Sequence, residues 1–269
     1  MDLQAEYDNR ARVPEHPAII AGWQHDAVAF RDSWPETELG IPYGAGERER
    51  IDLFRPGPGD AWPVALFLHG GYWQALDRGF FSHLARGFLA QGVALAVPSY
   101  DLCPQVTLAR IVDQVRAAAT LLHRRLGRKM LATGHSAGGH LTAMLMATDW
   151  RALDPGLPPD LVAAGLPISG VFELEPLLPT TIGAGLHLSR EDARALSPRT
   201  LPSPGLPLHA VVGGAESGEF RRQTRDFAAA WGGTAEELPG ADHFTVLAPL
   251  AEPGSALARR AAAMALAIR

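Results

Sequence analysis

The stretch Gly134-His135-Ser136-Ala137-Gly138 lies between the apolar run Lys129-Met-Leu-Ala-Thr133 and the helically spaced run Gly139-His140-Leu-Thr-Ala-Met-Leu-Met146. A strand, a sharp glycine-flanked corner around a serine, and then a helix make a turn that presents a hydroxyl at the edge of a sheet. A serine hydroxyl is a poor nucleophile unless a base can reach its proton, and a tight corner gives that access. Gly134 and Gly138 lack a Cβ, so the backbone can turn sharply and the helix can pack close to the strand. In a chain with 28 glycines the pentapeptide alone says little. Its weight comes from what surrounds it.

Upstream, the apolar run Ala65-Leu-Phe-Leu68 enters His69-Gly70-Gly71-Tyr72-Trp73. A strand running into His-Gly-Gly is the second part of an α/β-hydrolase site, because such a loop points backbone N–H groups at a developing oxyanion. The N–H groups expected there are those of Gly71 and Tyr72, joined by that of Ala137 after the serine. A glycine-rich turn with no chemistry would explain this loop by itself, but the corner downstream makes the chemical reading the better one.

In this fold the acid and then the histidine follow the serine in chain order. Near the C-terminus, Gly240-Ala-Asp-His243-Phe places a histidine on a short turn after the strand-like Thr234-Ala-Glu-Glu-Leu238. Of ten histidines, His243 is the one that follows a plausible acid loop. His135 cannot take the proton of its neighbour Ser136, His140 opens the next helix, and His209 sits within a strand. The remaining histidines read as surface or packing residues. For the acid, Glu216 stands just past the strand Leu208-His-Ala-Val-Val212, where the fold places a carboxylate. Glu219 in the same loop and Asp242 beside the histidine stay open as alternatives; as a helix-start charge and a turn residue, each also has an ordinary explanation. No histidine pair has metal-ligand spacing with supporting Cys or Asp, so no metal is expected.

At this point the residues carry a likeness. His69-Gly-Gly-Tyr-Trp73 with Gly134-His-Ser-Ala-Gly-Gly-His140 resembles the kynurenine formamidase (arylformamidase) branch of the α/β-hydrolase fold. The resemblance extends to Tyr7-Asp-Asn-Arg-Ala-Arg-Val-Pro14, Ser99-Tyr-Asp-Leu-Cys-Pro104, Ile168-Ser-Gly-Val-Phe172, Leu196-Ser-Pro198 and Gly213-Gly-Ala-Glu-Ser217. Glu216 departs from the Asp expected in many relatives. The resemblance implies hydrolysis of N-formyl-L-kynurenine to kynurenine and formate without a cofactor. A carboxylesterase acting on small esters with the same residues is the alternative, and a non-catalytic binding module of the same fold is a third reading.

Length and composition agree. At 269 residues with 47% hydrophobic residues, the chain suits one α/β domain over residues 1–269. A net charge of −5 offers no basic footprint for nucleic acid. One cysteine, Cys103, excludes an internal disulfide and fits a reducing compartment. The first thirty residues lack an apolar signal core, and apolar runs are strand-length, so a cytoplasmic protein without a membrane partner is expected. Its expected partner is a small-molecule substrate, with a homodimer left open.

Periodicity gives strands at 48–54, 62–68, 93–97, 129–133, 161–168, 207–212 and 234–238, alternating with helices at 80–89, 106–126, 219–231 and 253–268. Such alternation means a mostly parallel sheet with helices on both faces. Residues 172–207, rich in Pro, Leu and Gly, break the pattern and are expected to form a small cap, with a helical piece at 190–196. Trp73 and Phe172, with Tyr72 and Phe244 as further candidates, are expected to line an apolar acyl or aryl pocket.

Overall fold

The computed structural model describes residues 2–59 and 61–268. Eight strands form one sheet: β1 Thr37–Pro42, β2 Arg50–Phe54, β3 Val64–Leu68, β4 Ala94–Pro98, β5 Met130–His135, β6 Val162–Ile168, β7 His209–Gly213 and β8 Thr234–Leu238. Their order is β1-β2-β4-β3-β5-β6-β7-β8; β2 pairs antiparallel with β1 and β4, and all other pairs are parallel. The fold is therefore α/β with a mostly parallel sheet.

The buried strands are apolar on both sides because both sides are covered. All five residues of β3 are buried. Val64, Leu66 and Leu68 join one core with Leu108, Ile111 and Leu141, whereas Ala65 and Phe67 join another with Trp23, Phe88 and Leu257. One face thus receives the helices Leu108–Leu126, Ala137–Met146 and Gly218–Ala230, and the other receives His16–Ser33, Ala85–Leu89 and Ala256–Leu266. Thr107 caps the first of these at Arg110 N, and Gly127 ends it in the left-handed region (φ 64°). No helix among the described residues is long and apolar enough to cross a membrane.

Parallel pairing puts the carboxyl ends of β3 and β5 through β8 along one edge, where ligands bind in open α/β sheets. In the β3–β5 register, Leu68 stands opposite Gly134. The His-Gly-Gly loop and the serine corner consequently leave the sheet side by side. A Cβ on Gly138 would overlap the Leu68 and His69 carbonyls, so glycine is required by the approach of the corner to β3.

Three features differ from the periodicity. The segment expected as a helix over 80–89 opens as two 3₁₀ turns, Arg78–Phe80 and Ser82–Leu84, and only Ala85–Leu89 is α-helical. The C-terminal stretch 253–268 contributes the helix Ala256–Leu266, capped by Ser255. Its Pro253-Gly254 stretch stays outside that helix, whereas Ala248–Ala251 makes a separate turn. The helices Leu3–Tyr7, Asn9–Arg12 and His16–Ser33, and the edge strand β1, precede all the expected elements. Residues 172–207 contain no strand and carry four short pieces, among them Arg190–Ala195 with a Ser189/Asp192 capping box.

Gly138→Ala should lower the melting temperature, because the new methyl meets backbone oxygen that cannot step aside. Over-packing of this kind costs about 1–3 kcal/mol, or several degrees in a domain of this size. Thermal denaturation followed by circular dichroism measures it, and an unchanged midpoint would mean that the helix does not press on β3.

Candidate active site

The corner after β5 holds Ser136 at φ 57°, ψ −116°, a left-handed conformation unusual for a residue with a side chain. Strain of this kind persists only where neighbours impose it. Here the Ser136 N–H donates to the Ile168 carbonyl at 2.9 Å, Gly70 crowds the corner from the β3 side, and Gly138 of the helix rests on the Leu68 and His69 carbonyls. The serine is also the N-cap of the buried helix Ala137–Met146, so the positive end of that helix lies beside the hydroxyl.

β7 and β8 supply two more side chains. The His243 ring pairs through Nδ1 with Glu216 Oε2 at 2.7 Å, and both side chains are almost completely shielded from water. The other carboxylate oxygen, Oε1, accepts from the Gly213 N–H at 2.7 Å and from the Ser169 hydroxyl. With both oxygens occupied, Glu216 is fixed in place and keeps the Nδ1 proton of His243, leaving Nε2 as the free acceptor. Ser136 and His243 line the same cavity, and no hydrogen bond joins Ser136 Oγ to His243 Nε2. Such bonds often close only with substrate bound.

The rival carboxylates are engaged elsewhere. Asp242 accepts from the Phe244 and Thr245 N–H groups as a turn cap. Glu219 accepts from Tyr7, Arg222 and Gln223. Burial pushes its pKa up, but these hydrogen bonds outweigh burial and hold it down at about 2. Ser169, whose hydroxyl holds the acid, has no motif of its own, and its place just past β6 is its one mark in the sequence.

The His69-Gly70-Gly71 loop lies against the corner. Gly71 (φ 107°) and Tyr72 (φ 49°) are both left-handed, and their N–H groups, like that of Ala137, meet no protein acceptor among the described residues. His69 is sandwiched between Tyr100 at 4.1 Å and Phe81 at 6.1 Å, and its carbonyl accepts from the Tyr100 hydroxyl at 2.7 Å. These contacts hold the loop's start rigid.

The pocket differs from expectation. Trp73 and Phe172 are completely buried and do not line the cavity with Ser136. Trp73 (φ 57°) turns its indole inward, edge-on to His140 at 5.0 Å. Phe172 stacks on Phe227 at 4.0 Å, with its N–H held by Gln223. Tyr72, Phe244 and Trp23 line the space instead, and Asn9 and Arg10 roof it. The cavity measures about 40 Å³. It is large enough for a very small group, since one water needs roughly 10–15 Å³. The Tyr72 hydroxyl donates to the Tyr7 carbonyl at 2.6 Å and accepts from Asn9 Nδ2, which ties the roof to the loop.

Two further histidines brace the site. His135 Nε2 donates to the His243 carbonyl at 2.7 Å, and burial holds its pKa well below the ordinary value. His140 Nε2 donates to the Leu196 carbonyl at 2.8 Å, linking the corner helix to the 172–207 segment. Burial lowers its pKa to about 4. Both are therefore neutral donors at pH 7 and leave His243 as the ring with a carboxylate partner in this cavity.

A serine at a strained corner after the fifth strand of a mostly parallel sheet, beside a His-Gly-Gly loop, defines an α/β-hydrolase. No protein-family model matches the chain. The chain is 31% identical over 232 residues to kynurenine formamidase of Salmo salar, covering 81% of this chain and 78% of that protein. Against the Danio rerio enzyme of the same name it is 29% identical over 231 residues. The chain belongs to the kynurenine formamidase family and is a hydrolase. In structure it is similar to a Silicibacter protein provisionally titled a thioesterase, with TM-score 0.87 and 34% identity over 96% of this chain and 98% of that one. A carboxylesterase from a metagenomic library shares the fold at TM-score 0.73 and 18% identity, covering 94% of this chain and 96% of that one.

Acid should destabilise the protein in a defined window. Burial lowers His69, His83 and His140 to about 4, against 6.5 in an unfolded chain. Between those values the unfolded chain binds protons that the folded chain refuses, so stability falls as pH drops from about 6.5 towards 4. Glu219, held at about 2, gives its contribution up only below that window. Melting temperatures at pH 7, 6 and 5 should decline, and a flat profile would contradict neutral buried histidines.

Proposed function

We propose that the protein cleaves an aryl formamide, N-formylkynurenine in the first instance, through a formyl-enzyme formed on Ser136. The observation that carries this reading is the Glu216–His243 pair facing the cavity that Ser136 lines, a cavity small enough to select a formyl group.

His243 Nε2 takes the hydroxyl proton as Ser136 Oγ attacks the formyl carbon, and Glu216 stabilises the imidazolium that results. The N–H groups of Gly71, Tyr72 and Ala137 receive the oxyanion, and donors already aimed there need no reorganisation as charge develops. As the tetrahedral intermediate collapses, the C–N bond breaks and His243 gives its proton to the departing arylamine. Water, deprotonated by His243, then attacks the formyl ester and releases formate and Ser136. None of these steps draws on a cofactor. Trp23 and Phe244 wall the space that receives the formyl group, and Tyr72, which also borders the neighbouring hollow, offers its ring to the leaving group. Residues 172–207 brace the corner helix through the Leu196 carbonyl and line no part of the Ser136 cavity, so the covering role expected of them falls to the segment that carries Asn9 and Arg10.

A carboxylesterase or thioesterase working with the same residues is the second reading, favoured by the similarity to the thioesterase-like protein of Silicibacter. Acyl size separates the two, because each misfit methylene in a closed pocket costs about 1–3 kcal/mol.

Three measurements test the reading. Ser136→Ala should cost about 10⁴–10⁶ in turnover with the fold retained; near-native activity would remove the serine mechanism. Glu216→Gln should cost about 10²–10⁴ by favouring the wrong imidazole tautomer, and Asp242→Asn far less; the reverse order would reassign the acid. The native enzyme should show a higher kcat/KM for N-formylkynurenine than for 4-nitrophenyl butyrate, despite the better leaving group of the ester. A strong preference for butyrate would move the protein to the esterases.

A further inference from the structure

The roof of the cavity holds two polar groups that the chemistry above does not use. Asn9 is 3% exposed, and its Oδ1 has no hydrogen-bond partner among the described residues, although its Nδ2 donates to Tyr72. A buried acceptor without a protein donor, set in the wall of a cavity, can take a donor from a bound molecule. Beside it, Arg10 is exposed, borders the cavity and makes no ion pair and no hydrogen bond among the described residues, so its guanidinium is free to take a ligand. Asn9 and Arg10 line both the cavity of Ser136 and a neighbouring hollow of about 320 Å³, with Tyr72 between the two spaces. The hollow is the larger by far. A formyl group fits the first space, and the rest of a substrate would extend past Tyr72 into the second.

The position of this pair is well supported. The Tyr7 hydroxyl donates to Glu219 at 2.9 Å and accepts from Gln223 at 2.7 Å, and Gln4 bonds Thr181. The segment therefore bridges the Gly218–Ala230 helix and the 172–207 excursion, and Asn9 and Arg10 stand on a fixed support.

We propose that Asn9 and Arg10 form the leaving-group subsite, and that it selects substrates whose leaving group carries a carboxylate. Arg10 takes the carboxylate by a charge-assisted, forked hydrogen bond, and Asn9 Oδ1 accepts an N–H of the same molecule. Arg10 is a specificity residue with no part in proton transfer. The inference rests on the hydrolase reading of Ser136 for the reaction, and extends it from acyl size to leaving-group charge.

The test uses two formanilides that differ only in an aryl propanoate side chain and its methyl ester. The native enzyme should favour the carboxylate, mainly through KM, and 0.5 M salt should erode the preference. Arg10→Gln should cut the ratio of the two kcat/KM values by about 10- to 100-fold, and Arg10→Lys should restore part of it. Asn9→Leu should narrow the preference for a formanilide over its N-methyl derivative. Melting temperatures of the variants report whether each has folded. A native enzyme indifferent to the carboxylate, or an Arg10→Gln variant with the native ratio, overturns the subsite. If neither formanilide is cleaved but 4-nitrophenyl acetate is, the formamidase reading fails on its own. The comparison then runs on 4-nitrophenyl acetate and its 3-carboxy derivative, where the same ratios decide the subsite.

Discussion

The close approach of the corner helix to β3 is the constraint on which the rest of the site depends. Leu68 faces Gly134 across the parallel ladder, and Gly138 rests on the Leu68 and His69 carbonyls with no room for a methyl group. That contact sets where the backbone must reverse after β5, and the reversal forces Ser136 into its left-handed conformation. It also sets the His-Gly-Gly loop against the corner, so the spacing between hydroxyl and loop N–H groups follows from sheet geometry rather than from side-chain choice. Energy stored in an uncommon backbone conformation is small, about 1–3 kcal/mol per residue. The two cores flanking the sheet can supply it many times over.

Histidines show how environment divides one residue type among tasks. His69, His135 and His140 are buried without a carboxylate, so they stay neutral and serve as props: a stacked ring, a donor to the His243 carbonyl, and a donor to Leu196. His243 is equally hidden from water but has Glu216 at 2.7 Å. A carboxylate held at Nδ1 fixes the orientation of the His243 ring and sets it apart from these three props.

Much of the fold was legible in the sequence because the central strands have no polar side to hide. β3 and β4 are apolar at every position and β5 over Met130–Ala132, and the glycine-flanked serine leaves a local mark of a backbone requirement. β1 left none: it is an edge strand with Ile41 as its single buried residue and a bulge between Glu38 and Ile41. The helix His16–Ser33 buries only Trp23, Ala27 and Phe30, too thin a stripe to stand out. Pocket residues were hardest, since their direction is set by contacts far away in sequence. Adjacent Tyr72 and Trp73 share a left-handed turn, yet one ring faces the cavity and the other the core. Likewise, nothing near Asn9 in sequence announces that Tyr72 will reach it.

The anchoring of the roof has a consequence for biosynthesis. Residues 3–12 are synthesised before their supports, which are Tyr72, Thr181, Glu219 and Gln223. Tyr7 cannot be seated until a segment more than 200 residues later has been made. Contacts so distant along the chain form late, because the loop they close is long. His243 emerges later still. The wall that Asn9 and Arg10 add to the Ser136 cavity is therefore completed only when the segment around Tyr7 meets the helix that carries Glu219 and Gln223.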